Sequence, residues 1–509
     1  MSNLEIIKSM DVEKIKIVFK RPEFAVEQAA AIAEYKVADH AIFDTTIRPV
    51  KKITKGTGET DADGKEKTTV GYIEPARIGM SFQQLIVDRR VGFMLTIPVE
   101  TDAIYESESD KEKALVKMVD RIQNDNKMDY RNKEIARRWM SEMECAECWY
   151  FVETPDKKTN DERRKAGIKS GEILPASHNL KCNIWSPDLG DTLYPLFSPT
   201  GDMIAFARGY KLKEEDKDIE HFDVYTSEFE YKYVDRDNTW KLDDTLTNPD
   251  GTKKLNPLPN SVKKIMIVYH SQNKPEWADQ GSMITRLETS ISNHADMNDY
   301  FGSPILAVFG EIMGFAAKGE QGKILQFNEQ AKANYLALNS PPESIKMEQE
   351  NLEKFIFALS QTPNITFEQM MKIGPVSGVA MKMMFLDAHM SVSRKEETFG
   401  IGLQRRLNIL KAAIGTVIDI SLAAEAKSLQ LKPIITPYLP LNVTEMVENL
   451  SVSTSSGIMS KETAVEQNPL VEDSETEMER LRTDATNDLA GTENLPIKGK
   501  NTTASKTGA

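Results

Sequence analysis

Cysteine and long apolar runs are both scarce in this chain. Only three of its 509 residues are cysteines, which predicts synthesis in a reducing, intracellular compartment. No stretch approaches the roughly 20 apolar residues that a membrane-spanning helix needs. The first residues mix charges throughout and lack the apolar centre of a secretion signal. We therefore expect no membrane partner.

Recognisable catalytic patterns are also missing from the sequence. The six histidines are scattered, none falls in an HExxH pattern, and no GxSxG nucleophile elbow occurs. Acidic residues are so plentiful that pairs of them carry little information. The sequence therefore predicts no enzymatic activity, no cofactor and no metal site.

One motif resembles a phosphate-binding loop. Residues 317–323 read AKGEQGK, in which the small residue, the glycine and the lysine are correctly spaced. However, Ile324 stands where a Ser or Thr hydroxyl should bind magnesium, and a β-like run follows where the phosphates need a helix N-terminus. The pattern favours an exposed glycine-rich turn, with nucleotide binding as the alternative.

A second motif, Cys145-Ala-Glu-Cys148, has the spacing of a redox or zinc site. It lies in a helical pattern beside Trp149, and the only other cysteine is Cys182. A structural zinc ion needs four ligands, which this sequence does not group together. We interpret the cysteines as buried core thiols.

The overall composition is ordinary, but the charge is not. Hydrophobic residues make up 40% and charged residues 28%, typical of a globular protein large enough for several domains. The formal net charge is −14. Such a balance argues against a protein that grips nucleic acid tightly, because those proteins carry a basic footprint. It leaves open a protein that lets nucleic acid slide past.

Hydrophobic periodicity divides the first half of the chain into helical and β-like parts. Helices are predicted at EQAAAIAEYK, within Arg77–Ile97 and across 110–152, and exposed loops at 51–70 and 153–170. From 171 to 270 the texture changes to short β-like runs separated by Asp, Asn, Gly and Pro turns.

The second half begins with two predicted helices around a small β-rich insert. The first helix covers Trp277–Tyr300, and the insert contains three short apolar runs, Ile305–Phe309, Ile324–Phe327 and Tyr335–Leu338. The second helix covers 344–360, and its predicted buried face is formed by Ile345, Leu352, Phe355, Ile356 and Leu359.

A polar, glycine-punctuated loop follows this helix. Pro363 prevents simple continuation of the helix, and Gly374-Pro375 interrupts the chain again before the next one. Ser377 is a plausible N-cap for a helix whose apolar positions are Val379, Met383, Leu386 and Met390. We expect the methionines after Ser377 to pack in the core. Loops of this length inside a compact protein are usually functional or disordered.

The C-terminal part is predicted to be mainly helical. One face should be buried, formed by Phe399, Leu403, Leu407, Leu410, Ile414 and Val417. Gly400 and Gly402 suggest a kink or break in that helix. Ser474 and Glu477 have capping-box spacing and introduce a charged helix. The last twenty residues are polar, and disorder is expected there.

Taken in order, these segments resemble the portal, or head–tail connector, proteins of tailed bacteriophages, particularly the siphophage type. The resemblance covers roughly Ile42 to Leu481. Its residues include RIGMSF at 77–82, KIMIVYHSQN at 264–273, YFGSPIL at 300–306, Pro363-Asn364, SGVAMK at 377–382, Arg394-Lys395, Pro437–Pro440, SKET at 460–463 and Glu479-Arg480-Leu481.

The resemblance implies an α+β portal fold with an α/β wing, a two-helix stem, a small β-rich clip, a long spine helix and a helical C-terminal crown. The implied divisions are wing 1–260, first stem helix 261–302, clip 303–342, second stem helix 343–361, tunnel loop 362–376, spine helix and return strand 377–444, crown 445–490 and disordered tail 491–509.

The function implied by the resemblance is structural. Family members form a homo-oligomeric ring, usually a dodecamer, at one capsid vertex, nucleate procapsid assembly and conduct double-stranded DNA during packaging and ejection. The implied partners are the terminase large subunit, the head–tail adaptor, and the major capsid and scaffolding proteins. The implied localisation is the portal vertex of the virion, with the host cytoplasm during assembly.

The loop would meet the DNA, through Asn364, Thr366, Gln369 and Lys372. Each phosphate neutralised by Lys or Arg strengthens binding, so a loop with mainly neutral polar groups would let DNA pass. The implied loop–helix hinge residues are Pro363, Gly374, Ser377 and Gly378. Two alternatives remain: a nucleotide-dependent packaging motor subunit that uses residues 317–323, and a capsid or adaptor component without DNA contact.

Overall fold

The computed structural model describes most of the chain. The described residues are 3–60, 66–153, 178–214, 217–247, 253–301, 305–309, 312–314, 326–327, 332–336, 342–364, 378–438, 443–471 and 473–492. The chain divides into two compact units: Met1–Asn364 with Asp387–Tyr438, and Ile365–Leu386 with Leu439–Ala509. A mixed α and β fold was predicted, and the described elements confirm it.

The helices of the described chain are, in order, α1 Asn3–Lys8, α2 Val12–Val18, α3 Ala25–Tyr35, α4 Phe82–Leu95, α5 Asp110–Asp125, α6 Met128–Glu142, α7 Gly281–Phe301, α8 Pro342–Leu359, α9 Gly378–Met384, α10 Leu386–Ala413, α11 Glu425–Ser428, α12 Val443–Ser455, α13 Lys461–Glu466 and α14 Ser474–Thr492. Helix α10 continues into a π-helical turn at Ile414–Ile418.

The strands are β1 Lys51–Thr60, β2 Glu66–Ile73, β3 Glu100–Ile104, β4 Glu144–Glu153, β5 His178–Trp185, β6 Thr192–Phe197, β7 Met203–Glu214, β8 Lys217–Tyr225, β9 Phe229–Arg236, β10 Thr239–Leu242, β11 Leu258–Pro259, β12 Ile267–Ser271, β13 Ile305–Phe309, β14 Ile312–Gly314, β15 Gln326–Phe327, β16 Lys332–Leu336 and β17 Gln430–Ile434. All of the described pairings are antiparallel.

The largest sheet of the first unit has the strand order β10-β9-β8-β7-β6, with β11 paired to β9. Tyr231 and Tyr233 point to the same face of β9 because side chains two residues apart share a face. That face is covered by α1 and α2, whose Ile7, Ile15 and Phe19 pack with these tyrosines in one buried cluster. The N-terminal helices therefore complete the sheet's core.

The main core of the first unit lies around α4, α6 and α10. The indole of Trp139 on α6 stacks on Phe399 of α10, with ring centroids 5.8 Å apart. The predicted buried face is confirmed for Phe399, Leu403, Leu407, Leu410 and Ile414, which are all fully buried, whereas Val417 is only partly buried. The predicted break at Gly400 and Gly402 is wrong, because α10 runs through both.

The three cysteines lie in a second sheet, ordered β12-β4-β5. Cys145 and Cys148 belong to β4 and Cys182 to β5, so the predicted helical setting of the first two is wrong. Helix α6 ends at Glu142, and Met143 has a left-handed backbone (φ 66°) that starts the strand. All three thiols are buried, as predicted, and burial raises their pKa values.

Two predicted loops have different outcomes. Residues 51–70 were expected to form an exposed loop, but β1 and β2 pair there with Lys51 opposite Ile73. Its β-branched residues, such as Ile53, Thr54, Thr69 and Val70, suit extended strands, which the abundance of charge and glycine concealed. The predicted loop at 153–170 lies outside the described residues, except for Glu153 at the end of β4.

The helix pair and its insert agree with the prediction in outline. Helices α7 and α8 pack together, with Arg286 and Glu348 forming an ion pair of 2.8 Å. Between them, β13 pairs with β16 and β14 with β15. On α8, Ile356 is buried as expected, whereas Phe355 and Leu359 are exposed, so the predicted buried face is wrong by about one position.

The second unit is described through α9 and α12 to α14. The charged helix α14 was predicted to be capped by Ser474. Instead, Asp473 is the cap: its carboxylate accepts from the amides of Glu475 (3.1 Å) and Thr476 (3.2 Å). Ser474 already belongs to the helix. The tail from residue 493 onwards lies outside the described residues.

The prediction that the methionines after Ser377 pack in the core is also wrong for those that can be assessed. Met383, Met384 and Met390 are all exposed, with 71%, 37% and 56% of their surface accessible. Phe385 and Ala388 occupy the buried positions instead. The stripe is displaced because the helix is interrupted at Phe385, between α9 and α10.

Candidate functional site

The predicted DNA-facing loop is described at its two ends. Pro363 and Asn364 follow α8, and Gly378 is the first residue of α9. The remaining predicted site residues lie outside the described residues, namely Thr366, Gln369, Lys372, Gly374 and Ser377. Their assignment stays a prediction.

Helix α8 ends in a Schellman motif. Gln361 has a left-handed backbone, with φ 53°. Its amide donates to the carbonyl of Ala358 (3.2 Å), and the amide of Thr362 donates to that of Phe357 (3.1 Å). These are the two bonds that satisfy carbonyls left free at a helix end. Pro363 then follows, so the helix is terminated by the turn before the proline is reached.

Two arginines of α4 donate hydrogen bonds to this turn. Arg90 donates to the carbonyl of Ser360 and Arg89 to that of Pro363. Positive charge is favourable here because the C-terminus of a helix carries partial negative charge. Burial lowers the pKa of the guanidinium of Arg90, while the charge of Glu276 opposes that shift.

The buried carboxylate of Glu276 binds Arg90. It forms ion pairs with Arg90 and with Lys395 of α10, the latter at 2.6 Å. The side chain of Glu276 is only 5% exposed. A buried carboxylate of this kind is stable because two cations face it.

Helix α10 contributes a further contact. Arg394 donates to the side-chain oxygen of Gln361, and Lys395 also donates to Gln272 at 2.9 Å. Phe357 packs edge to face on Phe82, with 5.8 Å between ring centroids. The remaining cavity at this junction is about 10 Å³, room for at most one water molecule. We call the turn Ser360–Asn364 with these contacts the loop base.

The loop base concentrates four cations in an acidic protein, but they already have partners. Arg89 and Arg90 donate to backbone carbonyls, Arg394 donates to Gln361, and Lys395 pairs with Glu276. Their positive charge therefore positions the chain and is not offered freely to a phosphate. The arrangement provides a rigid mount and no catalytic constellation.

Two buried charge clusters hold the helices next to the loop base. In the first, Glu147 accepts two bonds from Arg406 of α10 (2.8 and 2.7 Å) and one from His270 (2.9 Å). Burial alone would raise the pKa of Glu147, but the charge of Arg406 and the hydrogen bonds outweigh it and lower that pKa to about 2. The imidazole of His270 lies directly against Gly402.

The second cluster fixes α7. Glu288 accepts from the amide of Met80 (2.8 Å) and contacts Nδ1 of His40 (2.7 Å). The hydrogen bond with Glu288 raises the pKa of His40 despite its burial. The other ring nitrogen of His40 lies 2.8 Å from the carbonyl of Glu34, so α7 is tied to the end of α3.

Sequence reasoning missed the residues that build the loop base. Arg89, Arg90 and Glu276 lie far from the loop in sequence. Only Arg394-Lys395 was noted, as part of the family resemblance. The adjacent arginines in an otherwise apolar stretch of α4 were the one available signal.

Within the described part of the chain, no helix is long and apolar enough to cross a membrane, and no group of His, Cys, Asp and Glu side chains could hold a metal ion. Residues 317–323, which carry the phosphate-loop pattern, lie outside the described residues.

A family model described as "phage portal protein, SPP1 Gp6-like" matches residues 35–488. The chain belongs to this family of phage portal proteins. The match begins near the end of α3 and reaches α14, so it includes the paired helices, the β insert and the loop base. The recognition made from the sequence, that of a phage portal or head–tail connector protein, is confirmed. The family is structural and non-enzymatic.

Other comparisons add little to this identification. A chain in the virion of a native gene transfer agent particle is 10% identical, with 74% of this portal protein and 84% of that chain covered and a TM-score of 0.36. A chain in the neck of an empty gene transfer agent particle, computed with C6 symmetry, is also 10% identical, with 75% and 87% covered and a TM-score of 0.38. Such low scores carry no argument about function. No curated protein sequence matches the chain.

Proposed function

We propose that this portal protein assembles into a ring at one capsid vertex and acts as the conduit through which double-stranded DNA is packaged and ejected. The observation that carries the proposal is the family match across residues 35–488, which contains paired helices, a β insert and a mounted loop in the expected order. The ring is expected to be a dodecamer, which the family resemblance implies.

The loop after α8 is proposed to line the narrowest part of the channel. A loop that meets moving DNA must keep its position under load, and the loop base provides such a mount through Arg89, Arg90 and Glu276. The loop itself offers neutral groups at Asn364, Thr366 and Gln369, with Lys372 as its only cation. Few cationic contacts to phosphate keep binding weak, so DNA can slide.

The remaining elements are assigned roles by their order in the chain. The insert at 303–342 is proposed as the clip that docks the terminase large subunit and later the head–tail adaptor. Residues 445–490 are proposed as the crown, and the first 260 residues as most of the wing, next to the major capsid and scaffolding proteins. Energy for packaging would come from the terminase, with the protein present in the host cytoplasm during assembly and at the portal vertex of the virion afterwards.

Electron microscopy of the purified full chain tests the proposal. We expect closed rings with a central hole wide enough for duplex DNA, roughly 20 Å or more across. Rotational averaging would give the number of subunits. Particles that stay monomeric from low to high salt, or rings without a central hole, would contradict the proposed conduit.

A further inference from the structure

A cationic cavity lies at one end of the large sheet, where the start of β7 meets α10. It encloses about 630 Å³, and its lining includes Lys263, Lys264 and Arg405 together with the apolar side chains of Met203 and Ile401. We call this cavity the basic pocket. Ile401 is 73% exposed, so the mouth of the pocket presents apolar surface beside the charges.

Two cations of the basic pocket donate to backbone carbonyls. Nε of Arg405 donates to the carbonyl of Ile267 (2.8 Å), and Nζ of Lys264 donates to that of Asn408 (3.5 Å). Among the described residues, Arg405, Lys263 and Lys264 form no ion pair. Burial lowers the pKa of Arg405, and the negative charge of Asp202 opposes that shift. A half-buried arginine that forms no ion pair is unusual, because desolvated charges are normally paired.

The opposite end of the same sheet is acidic. The end of β7, the start of β8 and the β9–β10 turn line an open cavity of about 850 Å³ that presents Asp218, Glu220, Asp235 and Asp237, which we call the acidic end. Within the described chain, Asp218 and Asp237 form no ion pair, and Oδ1 of Asp235 is buried without a hydrogen-bond partner. Lys217 and Arg236 also lie there, but Arg236 is paired with Glu214 at 3.1 Å.

The two ends are far apart within one subunit. Strand β7 runs from Met203 at the basic pocket to Glu214 at the acidic end, which corresponds to about 35–40 Å at the usual rise per residue. They therefore cannot neutralise one another in the same chain. Opposite charges at opposite ends of one rigid sheet suit a head-to-tail contact, the kind of interface that closes into a ring.

We infer that the acidic end of one copy of this chain docks into the basic pocket of the next copy. This inference rests on the proposed ring and adds the contact that orients its subunits. Asp218 and Asp237 would supply carboxylates to Lys263, Lys264 and Arg405, and the apolar mouth of the pocket would be covered. Complementary potentials of this kind favour the correct register and disfavour contacts between like ends.

Charge reversal tests the contact in the full-length chain. The cation-reversed variant is K263E/K264E, the acid-reversed variant is D218K/D237K, and a third variant combines all four substitutions. Sedimentation velocity over a range of protein concentrations measures assembly at low salt. We expect each reversal to raise the concentration for half-assembly about tenfold or more, and the combined variant to recover most of that loss, because complementarity is restored.

The matched control is D102K/K432E, which swaps two exposed residues that face each other between β3 and β17. It should assemble like the unchanged chain. If the unchanged chain forms rings but the reversed variants assemble equally well, or the combined variant is weaker than both, docking between copies is wrong and another acidic partner occupies the pocket. If the unchanged chain never forms rings, the proposed function fails as well.

Cross-linking provides a second measurement that does not depend on the stability of the reversed variants. In D237C/K264C, oxidation by copper phenanthroline should link successive subunits into a ladder of covalent oligomers. Each single cysteine variant should give no product beyond a dimer, since the three native thiols are buried. Absence of the ladder from assembled rings of the double variant would overturn the contact.

Discussion

At the scale of single residues, a buried carboxylate holds the long helix in place. Glu147 is fully buried, and Arg406 binds both of its oxygens while His270 binds one. A charge in such surroundings stabilises the fold only while its partners remain, because an unpaired buried ion is strongly destabilising. The position of α10, and with it the mount of the loop, depends on this cluster.

Acid should remove the contribution of Glu147. Its folded-state pKa of about 2 lies below the ordinary value of 4.5, so its stabilisation is complete above pH 4.5 and is lost as pH falls towards 2. The shift corresponds to about 3 kcal/mol. We expect E147Q to lower the free energy of unfolding by about 3–5 kcal/mol at pH 7 and by less near pH 3. Urea unfolding followed by tryptophan fluorescence measures both.

The control for this prediction is E353Q, a change at an exposed position in the middle of α8. It should alter the free energy of unfolding by less than about 0.5 kcal/mol. An E147Q deficit that is the same at pH 7 and pH 3 would show that the charge of Glu147 is not the source of the stability.

A second prediction at this scale concerns Gly402, and Gly400 in the same helix provides the comparison. A Cβ at Gly402 would lie 2.2 Å from Cε1 of His270, whereas one at Gly400 would meet nothing within 4 Å. We expect G402A to destabilise the protein by about 1–3 kcal/mol and G400A to stabilise it by up to about 1 kcal/mol. Thermal unfolding of both variants measures these changes in stability. A G402A variant more stable than the unchanged chain would mean that His270 moves away from the added methyl group.

At the scale of elements, the end of α8 is held by contacts from two other helices. The Schellman turn satisfies its own carbonyls at Phe357 and Ala358. Arg90 of α4 and Arg394 of α10 then fasten the turn. A helix end fixed in this way transmits force along the helix axis, whereas a frayed end would yield. The loop base therefore joins the end of α8 to helices of the main core.

Removing the central arginine should loosen this junction. R90M keeps an aliphatic side chain. However, the carbonyl of Ser360 loses its hydrogen-bond donor, and Glu276 keeps only Lys395 as an ion-pair partner. We expect a loss of about 2–4 kcal/mol in the free energy of unfolding. Hydrogen exchange should also become faster at residues 356–364.

The control is R137M, which removes an exposed ion pair to Asp88 and should lower the free energy of unfolding by less than about 1 kcal/mol. Equal effects of both variants would contradict a special role for Arg90.

At the scale of the whole molecule, the charge distribution suits a conduit. The net charge of −14 disfavours adhesion to DNA, and the cations of the loop base are engaged by protein groups. The basic pocket is the exception, and a neighbouring subunit is its inferred occupant. Repulsion between acidic subunits is screened beyond about 8–10 Å at physiological salt, so short-range contacts must hold the proposed ring together.

Adding positive charge to the loop should slow the passage of DNA. In T366K/Q369K each subunit gains two cations where the channel is proposed to be narrowest. Each new phosphate contact strengthens binding in a salt-dependent way, so we expect several-fold slower packaging at low salt and partial recovery at higher salt. A packaging assay with the cognate capsid and terminase measures this rate.

The control places the same two substitutions elsewhere. T416K/Q430K changes an exposed Thr and an exposed Gln outside the loop, so the added charge is identical. It should package at the unaltered rate. If both variants slow packaging equally, net charge is responsible, and the loop does not meet the DNA.

Prediction from sequence succeeded where a pattern is local and strong. The stripe from Phe399 to Ile414 identified α10, and alternating runs between turns identified the strands after residue 178. It failed where two patterns compete: the charged, glycine-rich segment 51–70 forms paired strands, and Cys145 lies on a strand that begins two residues after a helix ends. The order of segments, more than any one of them, identified the family.

The sequence by itself determined the mixed α and β composition, the helix pair around a β insert, the portal family and the buried state of the cysteines, because these follow from hydrophobic periodicity and from the order of segments. Only the tertiary structure decided which charges meet. Glu147 and Arg406, or Arg90 and Glu276, are far apart in the chain, and a buried charge reveals its partner only once the backbone has brought both to the same place.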